Sequence, residues 1–260
     1  LSDFETLTLT DREKEVLFQS AEKGSIKIIA SIPSRVREAI KKLGAPEGLV
    51  ALLIKDVPID VFIPATPEHA EDCNNKSMPI ADAIVTAFSL QAGFLQDFVG
   101  KIDVYKDNHV HNLYPIKGNE LTQLGSNRCT LDWHVEDGFL QEHPNICTLL
   151  CVRGSPEAKT QVSFARHLQL EPEMESVLRQ ARFVIDYDET FEIKGKPLIA
   201  PIISGPKNDP LIRVDFPTFG IPRITTRIAL GFIPFACHFS NKGLAKSLHA
   251  ASIFSVPCPF

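Results

Sequence analysis

Two textures divide this chain of 260 residues, and the boundary between them limits the folds open to it. Before residue 100, apolar residues recur at helical spacing. After it come short apolar runs cut by turn residues. Thr10 can cap a helix over 10–23, with Glu13 three positions on as in a capping box. Val36, Ile40 and Leu43 repeat the helical pattern over 33–43. Leu49 to Ile54 reads as a buried strand, 58–67 as an extended loop, and 80–98 as a helix weakened by Gly93. Beyond residue 102, short strands are expected at 103–105, 111–114, 130–135, 148–153, 161–165, 183–186, 191–193 and 212–216, with a polar helix near 171–181. Helices followed by many short strands predict an α+β, mainly β fold: a sandwich or jelly roll with its helices packed outside. A single domain is expected, with a helical part over 1–100, a β core over 101–216 and an atypical tail over 217–260. That tail contains no Asp or Glu, and its charges besides histidine are Arg223, Arg227, Lys242 and Lys246.

A net charge of −5 gives no basic face for nucleic acid. The late apolar run 228–239 is too short to span a bilayer, and the polar first 25 residues do not read as a signal peptide. Six cysteines without a CxxC pair point to a reducing, cytoplasmic setting, with Cys147 and Cys151 as buried thiols.

The chemistry concentrates in Leu131-Asp132-Trp133-His134-Val135-Glu136-Asp137-Gly138-Phe139. On a strand, residues two apart share a face. His134 and Glu136 can then point at one metal ion, as two members of the 2-His-1-carboxylate triad that holds non-haem Fe(II). With eight His and 32 acidic residues, such pairs also arise by chance, and His69-Ala70-Glu71 is a second one, in a loop or helix start. The bland alternative for 134–136 is an exposed edge-strand pair with Asp137 as a solvated charge.

Around that pair the chain resembles a known family. Ser126-Asn127-Arg128, the run 131–139, Leu149-Leu150-Cys151-Val152-Arg153, the stretch Gly48 to Asp60 and the stretch Ser204 to Asp215 are similar to the clavaminate synthase-like, taurine dioxygenase-related Fe(II)/2-oxoglutarate oxygenases. The similarity covers roughly residues 10–216. It implies a double-stranded β-helix (jelly roll) with flanking N-terminal helices, incomplete at the C-terminus if the tail is foreign to the family. It also implies Fe(II) as cofactor and 2-oxoglutarate as cosubstrate. The implied reaction hydroxylates a small amino acid or a derivative, with O2 and 2-oxoglutarate giving succinate and CO2.

By position, the resemblance makes His134 and Glu136 iron ligands, Thr160 a 2-oxoglutarate contact and Asp215 an acid near the substrate. Gln123 and Ser126 are placed near the substrate pocket. On sequence alone, Thr160 is equally a surface threonine, and Gln123 and Ser126 are equally loop residues. The family's distal histidine and the arginine after it have no recognisable match. The histidines downstream of the resemblance are His238 and His249, and Arg227 is the last arginine. The third ligand is therefore unassigned. Two alternatives stay open: a non-catalytic or truncated relative retaining part of the iron site, and a metal-independent lectin-like or cupin-like module.

Overall fold

The computed structural model describes residues 3–45, 48–69, 78–96, 109–118, 121, 135–154, 160, 162, 164–187, 191, 195–213 and, by backbone alone, 250–255. Strand β1 (Phe4–Thr8) leads into α1 (Asp11–Ala21), α2 (Ser25–Ser31) and α3 (Ser34–Lys42), followed by β2 (Ala51–Lys55) and α4 (Pro79–Ala92). The predicted capping box opens α1: Glu13 N–H donates to the Thr10 hydroxyl at 3.3 Å, and Thr10 N–H donates to the Glu13 carboxylate at 2.7 Å. Arg35 of α3 bonds the same carboxylate at 2.6 and 3.1 Å and the Thr8 carbonyl at 2.7 Å, which ties two helices and β1 together.

Helix α2 has no counterpart among the sequence expectations. Its Ile-rich run favours strand locally, and packing against α1 and α4 overrides that preference. Helix α4 starts with Pro at its first turn and ends at Gly93, short of the expected 98. No residue caps α4 from within. Asp60, in the extended loop, does so instead by accepting from Ile80 N–H at 3.1 Å and Ala81 N–H at 2.9 Å. Gly48 is required where it stands, because a Cβ there would collide with the Lys42 carbonyl oxygen.

Strand β3 (Ile146–Cys151) and β8 (Ala250–Ser255) complete a four-stranded sheet in the order β1-β2-β8-β3. β1 and β2 are parallel, while β8 runs antiparallel to both its neighbours, pairing Leu52 with Ile253 and Thr148 with Ile253. Strand β8 comes from the stretch expected to be an atypical tail. Leu52 and Ile54 of β2, with Ile146 and Leu150 of β3, join Leu17, Ile28, Ile32, Val36, Ile84 and Phe88 of the helices in one apolar cluster.

The second half of the chain is built from smaller pieces. A 3-10 turn (Ala165–His167) precedes α5 (Pro172–Leu178). Two ribbons follow: β4 (Phe183–Ile185) with β5 (Leu198–Ala200), and β6 (Ile203–Ser204) with β7 (Leu211–Ile212). Several expectations are corrected here. Residues 111–114 form no strand, and Ala165 begins the 3-10 turn rather than ending a strand. The strand expected over 148–153 runs from 146 to 151, and its Cys147 and Cys151 are half-buried rather than fully buried. Residues 103–105, 130–134 and 214–216 lie outside the described residues. No described helix is long and apolar enough to cross a membrane.

Candidate functional site

Glu136 opens a turn rather than ending a strand. Gly138 N–H donates to the Val135 carbonyl at 3.3 Å, and Leu140 N–H donates to the Asp137 carbonyl at 2.9 Å. Asp137 adopts φ +48°, the left-handed region that Asp tolerates better than most residues. It is buried, unlike the solvated charge of the bland alternative. Glu136 itself is half-buried.

The turn is pinned from inside by Phe139, which is 1% exposed. Its ring lies 5.3 Å from Phe191 in an edge-on arrangement and 5.4 Å from Tyr187. Arg213, one residue past β7, holds the turn from the other side. Its guanidinium donates to the carbonyls of Gly138 at 3.3 Å, Leu140, and Gln141 at 3.5 Å. At the end of the turn His143 is buried, with Nδ1 3.2 Å from the Pro144 carbonyl. Burial pushes its pKa down, the contact with the Pro144 carbonyl opposes that in part, and the nearby Arg213 charge adds to the lowering.

Of the residues expected to carry function, Glu136 lies in this turn and Thr160 is solvent-exposed. His134, Gln123, Ser126, Asp215, His238 and His249 lie outside the described residues. Among the described residues, no three His, Cys, Asp or Glu side chains gather to hold a metal ion. The donor chemistry nonetheless fits iron as far as it is described: a half-buried carboxylate in a turn fixed on both sides, two residues after an imidazole in sequence.

A cavity of about 200 Å³ lies elsewhere, between α4, the 63–67 loop, residues 109–114 and β3. Neither Glu136 nor Thr160 lines it. Asp82 does, and burial, with the Asp60 charge second, pushes its carboxyl pKa up. Arg153 closes one side by donating to Thr66 Oγ1 at 2.7 Å and to the carbonyls of Ile63 at 3.3 Å and Pro64 at 3.0 Å. Sequence reasoning assigned no role to Arg153 or Arg213. Their shared signal is an arginine placed just after an apolar strand run.

No protein-family model matches the chain. In sequence it is 29% identical over 167 residues to the enduracididine beta-hydroxylase of Streptomyces hygroscopicus, covering 64% of this chain and 48% of that protein. It is 29% identical over 204 residues to the L-lysine 3-hydroxylase of Catenulispora acidiphila, covering 72% and 54%. Against the L-asparagine oxygenase of Streptomyces coelicolor it is 24% identical over 212 residues, covering 78% and 60%. The chain thus spans about half the length of the curated relatives it matches.

Among solved structures, the non-haem iron oxygenase OrfP in complex with Fe and alpha-ketoglutaric acid superposes with a TM-score of 0.69 at 18% identity, over 97% of this chain and 94% of that one. An asparagine oxygenase in complex with Fe(II), 2S,3S-3-hydroxyasparagine and succinate gives 0.68 at 18%, over 96% and 93%. The likeness read from the motifs at 48–60, 126–153 and 204–215 is therefore borne out: the chain is a sequence relative of amino-acid hydroxylases and shares the fold of non-haem iron oxygenases.

Proposed function

We propose that this protein is an Fe(II)/2-oxoglutarate-dependent oxygenase that hydroxylates a small amino acid or a derivative, on a jelly-roll core spanning 101–216 within a single domain. The observation that carries the proposal is Glu136, two residues after His134 in sequence, opening a turn fixed by Phe139 and Arg213, in a chain whose relatives are amino-acid hydroxylases. His134 would supply an imidazole nitrogen and Glu136 a carboxylate oxygen to Fe(II). With iron held there, O2 would be the oxidant, one of its oxygen atoms going into succinate as 2-oxoglutarate loses CO2 and the other into an unactivated C–H bond of the substrate.

The remaining work falls to the protein. The Thr160 hydroxyl hydrogen-bonds the cosubstrate carboxylate. The Asp215 carboxylate accepts from the ammonium or another cationic group of the substrate. Gln123 and Ser126 orient the substrate from the segment that precedes His134 and Glu136 in sequence. The substrate is a small molecule, with neither nucleic acid nor membrane involved. A cytoplasmic setting is the one that six cysteines without a CxxC pair support.

The test is an anaerobic titration with Fe(II) and 2-oxoglutarate, following the weak visible charge-transfer band of the chelate. A band in the native protein that is absent in His134→Ala is the expected result. A well-folded protein giving no band overturns the proposal.

A further inference from the structure

Arg213 belongs to the β6/β7 ribbon, where its own N–H donates to the Ile202 carbonyl at 2.9 Å. From there its guanidinium reaches back some seventy residues in sequence to three carbonyls of the turn that Glu136 opens: Gly138, Leu140 and Gln141. The turn needs such a partner. Asp137 holds a left-handed backbone conformation, which L-residues disfavour. Gly138 is buried beside it, which limits water as a donor to its carbonyl. A planar fork with five N–H donors spans several carbonyls at fixed spacing, whereas a lysine ammonium acts as a single point.

We propose that Arg213 is a positioning residue: by holding the carbonyls at 138, 140 and 141 it fixes the turn, and with it the direction in which Glu136 presents its carboxylate to the metal. This inference rests on Glu136 being a metal ligand. The same side chain couples that ligand to the ribbon leading, two residues on, to Asp215. A shift at the substrate side is then felt at the metal side through one guanidinium.

The test uses Co(II) as a spectroscopic substitute for Fe(II) in the full chain, because its visible d–d bands report both affinity and ligand geometry without turnover. Arg213→Met, Arg213→Lys and a control, Arg179→Met, are compared with the native protein. Arg179 is an arginine of similar type, donating to the Gly205 carbonyl at 2.7 Å and to Glu175 at 2.8 Å without touching the turn. Arg213→Met is expected to weaken Co(II) binding by about 10–100-fold and to change the d–d bands, as loss of a residue supporting a ligand does. Arg213→Lys shifts both in the same direction by less. Arg179→Met leaves both at native values even where it lowers Tm. If the methionine variant does not fold, the lysine variant decides: altered bands and weaker binding support the role, and native values overturn it. Native protein that binds no Co(II) removes the metal reading itself. Native binding matched by both Arg213 variants removes only the inference.

Discussion

The helical half and the turn-rich half are held together by different physics. From Leu9 to Phe88, one apolar cluster of helices and β2 is closed by non-directional contacts. From 135 to 213, the apolar clusters are small: Ile202, Ile203 and Ile212 in one, Phe139, Ile185, Phe191 and Ala200 in the other. Guanidinium groups supply much of the rest. Arg213 holds the turn after Glu136, Arg179 holds Gly205, and Arg166 joins Asp3 at 2.8 Å to Asp209 at 3.2 Å. A packed core spreads a perturbation over many neighbours. A guanidinium on carbonyls concentrates it in one side chain, which suits a region where functional atoms must be placed to fractions of an ångström.

Three substitutions probe this contrast, in descending order of effect. Phe88→Ala removes a fully buried ring from the helical cluster and should cost about 3–5 kcal/mol, read as a fall of the whole denaturation curve. Arg153→Met leaves the Thr66 hydroxyl and the Ile63 and Pro64 carbonyls without their donor, at about 1–3 kcal/mol. Its effect should be local, read as faster proteolysis near the exposed Val61 and Phe62. A loss of cooperative stability equal to that of Phe88→Ala would erase the distinction between the halves.

The smallest effect belongs to Glu13→Gln. The Arg35 guanidinium beside Glu13 lowers its carboxyl from 4.5 to about 2. A folded-state pKa below the unfolded one contributes stability that is present above the ordinary value and lost as pH falls from there toward the lowered one. Glu13→Gln should therefore flatten the acid limb of the stability profile between about pH 4.5 and 2. An unchanged limb would mean that the pair contributes nothing to acid stability.

Local signals made part of this legible. Thr10 and Glu13 mark a helix start whatever surrounds them, and Val36, Ile40 and Leu43 mark a buried helix face. Strand β1 was missed because its Phe4–Thr8 run is half-exposed and is specified by pairing with β2 across forty-odd residues. Helix α2 was missed because its packing contradicts its own propensity. At the site, spacing named Glu136 as a candidate, while the turn that begins at this residue was not read, and most of the strand expected over 130–135 lies outside the described residues. Neither the Arg213 contacts nor the Asp60 cap could be read, since backbone groups carry no sequence signature and the partners are far apart in the chain.

The Asp60 cap has a consequence for the cavity beside α4. One wall of that cavity is α4 itself, and another is the 63–67 loop. Asp60 fastens the start of the helix just before the loop begins, and Arg153 fastens the loop to the end of β3. The walls are thus set in place before anything enters. A small molecule of matching shape would lose its own freedom on entering but would not have to order the protein around it, which removes one of the larger entropic penalties of association.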